Sequence, residues 1–185
     1  MRVKENISLN TLNLKKIILF RSKAKAFSKT HRLSTKYFLL ADLGLHSGKK
    51  RLFLYDFELK RFTESFMVLH GSGRNGEKSR RIAEFSNEPK SYCSSLGKYI
   101  LNHKKRNSSS YGSKFILKGM EASNSNAEVR QIVLHPSKYA PNNEKLPKYL
   151  NANSRGCPAV SNDSFEILED VIEKDNKDLL FWVIN

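Results

Sequence analysis

Cys157 stands in the run Ser154-Arg155-Gly156-Cys157-Pro158, downstream of His135, and these two side chains have the types that nucleophilic catalysis uses. A cysteine attacks as its thiolate, and a neighbouring histidine supplies that form by taking the proton and stabilising the anion. His135 follows Gln131-Ile132-Val133-Leu134 and precedes Pro136, so the chain leaves a sheet there and the imidazole stands at a rim. Gly156 permits backbone angles closed to other residues, and Pro158 fixes the angle just after the sulfur. Because Pro158 has no N–H, backbone donors to an oxyanion in this turn must come from Cys157, Gly156 or Arg155, with Ser154 completing the turn. Arg155 sets a permanent positive charge beside the thiol, suited to lowering its pKa or gripping a substrate carboxylate. The plainer reading is a small buried cysteine and a structural histidine. Rigid flanks on both sides of Cys157 favour catalysis, since a packing cysteine does not need them.

Other polar residues are candidates to line a cleft. His70 ends a strand-like run and precedes Gly71-Ser72-Gly73, where Ser72 and Gly73 are placed to donate hydrogen bonds to substrate or simply to make a bend. Arg130 suits two-pronged binding of a carboxylate and equally suits an outward strand position. Asn124 and Asn126 lie in a loop leading to the His135 strand, and either bind a peptide backbone or make the turns asparagine favours.

The elements that must position these groups are short and mostly β-like. Apolar runs occur at Tyr37-Phe38-Leu39-Leu40-Ala41, Arg51-Leu52-Phe53-Leu54-Tyr55, Phe62 to His70, Lys114-Phe115-Ile116-Leu117, Arg130 to Leu134 and Leu179 to Ile184. Ser47-Gly48 separates the first two as in a hairpin, and residues 105–113 and 122–126 are polar connections. Asp163 followed by Glu166 marks a helix start, with Phe165, Leu168, Val171 and Ile172 on one face. Leucines 9, 12 and 14 and Ile17-Ile18-Leu19-Phe20 predict an amphipathic N-terminal helix. The expected fold is mainly β, a sandwich or barrel with one late helix, divided as an N-terminal extension over 1–35 and a catalytic domain over 36–185.

The chain has 185 residues, enough for a core without disulfide or metal staples. Its formal net charge is +15, which attracts anionic partners such as nucleic acid, acidic lipid or cell-wall polymer. The basic residues come in small scattered groups, Lys15-Lys16, Lys49-Lys50-Arg51, Arg80-Arg81 and Lys104-Lys105-Arg106, as on an ordinary solvated surface. The apolar run at Ile17 is too short for a membrane span or an export-signal core.

Taken together, His135, a gap and Ser154-Arg155-Gly156-Cys157 resemble the motif of the L,D-transpeptidase catalytic-domain family, a histidine followed at a distance by Ser/Thr-His-Gly-Cys. The wider pattern is similar to a divergent branch of murein L,D-transpeptidase-like proteins and covers roughly residues 37–185. It comprises His70-Gly71-Ser72-Gly73, Phe85-Ser86-Asn87, Ser94-Ser95-Leu96-Gly97, Gly119-Met120-Glu121, Asn124-Ser125-Asn126-Ala127, Arg130 and Gly156-Cys157-Pro158. Arg155 departs from the motif's second histidine, and Pro158-Ala159 from its hydrophobic-Asn pair. The resemblance implies an extracytoplasmic (periplasmic or envelope) enzyme that needs no cofactor or metal and acts on peptidoglycan stem peptides. Cys157 would form an acyl-enzyme with a tetrapeptide stem, and His135 would manage the protons.

Rival readings keep part of this chemistry or none. Water as acceptor gives an L,D-carboxypeptidase, and another substrate gives a different Cys–His amidase or peptidase. A nucleic-acid- or cell-wall-binding module would use the charge together with Tyr37, Phe38, Phe53 and Tyr55, although aromatics inside apolar runs are more simply core. A Cys93–Cys157 disulfide would silence the nucleophile.

Overall fold

The computed structural model describes residues 14–74, 82–109, 112–146 and 154–185. Leu9, Leu12 and Arg80-Arg81 lie outside the described residues. The elements run α1 (Leu14–Thr30), β1 (Tyr37–Asp42), β2 (Leu52–Asp56), β3 (Arg61–Phe66), β4 (Gly97–Leu101), β5 (Arg106–Ser108), β6 (Gly112–Gly119), a 3-10 turn (Ala122–Asn124), β7 (Val133–Pro136), β8 (Ala159–Val160), α2 (Asn162–Asp175) and β9 (Leu179–Ile184). Strands make up 33% and helices 19%, so the fold is mainly β as expected.

The strands form one strongly curved, almost barrel-like sheet in the order β3-β2-β1-β9-β4-β6-β7-β8, with β5 paired to β6. The last strand of the chain, β9, is apolar along its length, which suits a strand covered on both faces. It pairs parallel with β1 and antiparallel with β4. Period-two alternation then builds two cores. Phe38, Leu40, Tyr55, Leu180 and Trp182 face α1, where Ala24 is buried and Phe20 meets Trp182 edge-on at 5.0 Å. Leu39, Ala41, Leu54, Phe115, Leu117 and Phe181 face the other way and pack with Phe165, Leu168 and Ile172 of α2. Each such side chain contributes about 1.5–3 kcal/mol by leaving water. Phe38, Phe53 and Tyr55 are buried in this way, so the surface a nucleic-acid reader would need is inside the core.

Three local expectations change. The cap of α2 is Ser161, whose Oγ accepts the Ser164 N–H at 3.2 Å, so the helix starts ahead of the expected Asp163–Glu166 box. The run from Arg130 becomes a strand only at Val133, because Gln131 has φ +54° and breaks the extended backbone. Residues 105–113 contain the β5–β6 hairpin, in which Arg106 pairs with Lys114.

The sheet's far end positions the site. Leu69 donates its N–H to Ala159 of β8 at 2.8 Å, and Ser72 donates to the Ser154 carbonyl at 2.8 Å. The His70-Gly71-Ser72 segment is thereby laid along the turn that carries Cys157.

Candidate active site

The Cys157 turn is braced from both sides. Gly156 has φ +114°, and a Cβ there would lie 2.5 Å from the Cys93 carbonyl, so neither backbone nor space admits a side chain. Ser154 Oγ donates to the Cys157 carbonyl at 2.6 Å and accepts the Gly156 N–H at 3.1 Å. Ser94 Oγ accepts the Gly71 N–H at 3.0 Å and donates to the Gly156 carbonyl at 3.3 Å. With its N–H given to Ser154, Gly156 is not a spare oxyanion donor; the Cys157 N–H has no acceptor among the described residues. Both cysteines are free thiols, so the disulfide reading falls.

The backbone beside Cys157 is joined to the His135 strand. β7 and β8 run parallel with His135 opposite Ala159, and the His135 N–H donates to the Pro158 carbonyl at 3.4 Å. Cys157 lies two residues ahead of Ala159 and packs in the main core with Val133 and Leu134, whereas Ala159 packs with Met67 and Leu69. Cys157 and His135 are nearly covered, at 8% and 7% exposure. The thiol points to the Gln131 carbonyl at 3.7 Å.

Burial sets the resting protonation of both groups. It pushes the Cys157 thiol above its ordinary 9.0, against the Val133 backbone hydrogen bond and the charges of Arg130 and Lys114. It also pushes His135 below 6.5, against the Pro136 carbonyl and with the help of Lys114. The resting state at neutral pH is therefore thiol and neutral imidazole. Arg155 was expected to lower the thiol's pKa, but it plays no part in that balance and lies over the Tyr92 ring at 5.7 Å.

The remaining candidates divide between cleft and scaffold. His70 is fully buried, with Nδ1 at 2.8 Å from an Arg51 guanidinium nitrogen. Arginine only donates, so Nδ1 accepts and the proton sits on Nε2. Ser72 and Gly73 give their N–H groups to Ser154 and Tyr92 carbonyls at 2.8 and 3.1 Å. The Arg130 guanidinium is used within the protein, on the Ser86 carbonyl at 2.9 Å, Ser95 Oγ at 2.5 Å and the Cys93 carbonyl. Asn124 is buried and holds the Lys98 carbonyl and the Glu121 N–H, each at 2.9 Å. Asn126 pairs with the backbone and side chain of Asn87, both at 3.1 Å. Arg130, Asn124 and Asn126 thus shape the loops behind the turn, and their donors face protein acceptors.

Sequence reasoning missed Arg51 and Ser94. Arg51 ends a basic group that reads as solvated, yet it is fully buried, donating to the Val68 carbonyl at 3.0 and 3.2 Å and to the Leu45 carbonyl at 3.3 Å. Desolvation brings it down to about 10, opposed by the charge of Asp42. Its sequence signal is its place at the head of a fully apolar strand. Ser94 had none beyond the resemblance.

The fold is a mainly β domain in which a braced cysteine turn leads into β8, the parallel neighbour of the strand that carries His135. The sequence matches the L,D-transpeptidase catalytic domain over residues 10–182, and the chain belongs to that family. Among solved structures it is similar to the helical cell shape determining protein Pgp2 from Campylobacter jejuni, at 16% identity and TM-score 0.50, over 80% of this chain and 46% of that one. It is also similar to the L,D-transpeptidase of Xylanimonas cellulosilytica, at 17% identity and TM-score 0.48, over 83% of this chain and 62% of that one. The chain thus spans about half of the first structure's length and under two thirds of the second's. A search of curated proteins gives no match. Among the described residues no helix is long and apolar enough to cross a membrane.

Proposed function

We propose that this chain is a cysteine-dependent L,D-transpeptidase working outside the cytoplasm on peptidoglycan tetrapeptide stems, with Cys157 as nucleophile and His135 as its base. The observation that carries the reading is the His135 Nδ1 contact with the Pro136 carbonyl at 2.8 Å, on the strand beside the Cys157 turn. A carbonyl only accepts, so the proton lies on Nδ1, and Nε2 is the ring nitrogen that carries the lone pair for proton transfer.

In the first half-reaction Cys157 Sγ attacks the peptide carbonyl on the L-centre of the third stem residue while its proton passes to His135 Nε2. The N–H of Cys157 is the available backbone donor for the oxyanion. The bond to the terminal D-alanine breaks, its amine takes the proton from His135, and a thioester remains. In the second half-reaction an amine from a neighbouring stem gives its proton to His135 and attacks the thioester. Sγ leaves and is reprotonated, and a cross-link between third residues results. The +15 charge suits residence on an anionic wall.

Intact-protein mass after mixing with disaccharide-tetrapeptide fragments tests this, with released D-alanine and new dimers followed alongside. An adduct on the wild type and none on Cys157→Ala is the expected result. Dimers identify a transpeptidase, and tripeptide alone identifies an L,D-carboxypeptidase. No adduct from a folded protein with a titratable thiol would sink the reading.

A further inference from the structure

Arg155 occupies the place where the family motif carries its second histidine, and the structure gives it surroundings of its own. Its guanidinium is exposed and lies over the Tyr92 ring at 5.7 Å. Among the described residues no carboxylate pairs with it. Glu84 and Glu88 pair with Arg74, at 3.9 and 2.8 Å. The guanidinium is thus within cation–π range of the ring while the residue stays exposed, and its fork of N–H groups matches a carboxylate.

Tyr92 is built to stay where it is. It keeps 39% of its surface exposed, yet its backbone is held at φ +54°, a conformation that a bulky residue rarely adopts. The next turn of the chain enforces it. The Tyr92 carbonyl receives the Gly73 N–H at 3.1 Å, and the following carbonyl, that of Cys93, receives Arg130. Strain of this kind persists where the surroundings over-determine the backbone, and it gathers at binding sites. On the other side the backbone at Arg155 is flanked by Ser154 and Gly156, whose own bonds tie them to Cys157 and Ser94. A planar cation over an aromatic ring with a constrained backbone therefore stands two residues from the proposed nucleophile.

We propose that Arg155, seated on Tyr92, is the specificity-determining residue that binds a carboxylate of the donor stem peptide. The inference rests on the transpeptidase reading and adds to it a substrate class: donors that keep a free carboxylate close to the scissile bond. Two carboxylates have this chemistry, the C-terminal one of the leaving residue and a side-chain one on the third residue. Arg155 touches substrate only, so its removal alters selection among donors and leaves the thiol's own titration in place.

The test measures the rate of Cys157 acylation by intact mass with three synthetic tetrapeptides: free acid, C-terminal amide, and third-residue side-chain amide. Wild type and Arg155→Gln are compared, with Arg155→Lys as the variant that keeps the charge and loses the fork. The expected result is that one amide acylates the wild type about ten- to a hundred-fold more slowly than the free acid, the size of a charge-assisted pair. Arg155→Gln then levels the peptides, Arg155→Lys falls between, and the slow amide identifies the carboxylate. Equal rates on all three with the wild type would overturn the inference while leaving the transpeptidase reading in place. A preference that survives in Arg155→Gln would also overturn it. Acylation by none of the peptides would remove the reading and the inference together. Melting curves of the variants are expected to match wild type, because Arg155 is exposed.

Discussion

His135 turns its Nδ1 to the carbonyl of the next residue, Pro136, across 2.8 Å. The contact fixes the tautomer of a buried ring through a backbone carbonyl, and burial lowers the imidazole's proton affinity. Burial leaves Cys157 as a thiol and His135 as a neutral imidazole at rest, so in the proposed reaction the proton moves during attack.

The first prediction concerns activity against pH. Acylation should follow neutral His135, rising through a midpoint below 6.5 and remaining high at neutral pH. Alkylation of Cys157 by a small thiolate-selective reagent should be slow at pH 7 and climb only above 9. Rapid alkylation at pH 6 would mean a preformed thiolate–imidazolium pair and would contradict the effect of burial.

Stability should respond to pH at both ends. The folded pKa of His135 lies below its unfolded 6.5, so the unfolded chain takes up that proton first as pH falls. The contribution is complete above 6.5 and is lost as pH drops through the window beneath it. Tyr99 is pushed up to about 12 by burial, so the unfolded chain loses that proton first and stability is lost between pH 10 and 12. Urea midpoints at pH 7, 5 and 11 check both; an unchanged midpoint at pH 5 would count against the buried neutral histidine.

Ser94→Ala should cost about 1–3 kcal/mol, because it leaves the buried Gly71 N–H without its acceptor and frees the Gly156 carbonyl. Acylation should fall as well, since the same hydroxyl joins the His70 segment to the Cys157 turn. Urea unfolding and the acylation assay read the two effects separately, and a loss of stability with full activity would show that the bridge does not position the nucleophile.

Gly156→Ala should be the more damaging of two glycine changes. At Gly156 the added carbon meets the Cys93 carbonyl at 2.5 Å and the backbone is already at φ +114°. At Gly112, φ is +67° with open space around it, so Gly112→Ala should cost only about 1 kcal/mol of backbone conformation. Equal melting temperatures for the two variants would show that the Cys157 turn relaxes freely.

Much of this was open to reading along the chain. Apolar runs such as Phe38 to Ala41 and Leu179 to Ile184 become strands because alternating faces of one sheet bury both halves of each run. The helical spacing of Phe165, Leu168 and Ile172 likewise sets the face that α2 buries. Gly156 and Pro158 marked a rigid turn around Cys157 through their backbone restrictions, which belong to the residue types themselves. β4 and β5 were hidden by Lys98, Arg106 and Asn107, polar residues whose pairing with β6 and β9 depends on strands distant in sequence.

Local periodicity and backbone restriction are properties of short segments, and they were enough for the mainly β class, the helices and a held cysteine downstream of a strand-end histidine. Only the tertiary structure decided that Arg51 is buried against His70, that Arg130 serves the loops around it, and that Arg155 lies on Tyr92. It also decided that the thiol is raised above its ordinary range. Burial, hydrogen-bond partners and the local electrostatic environment are set by residues brought together from across the chain, and no local pattern carries them.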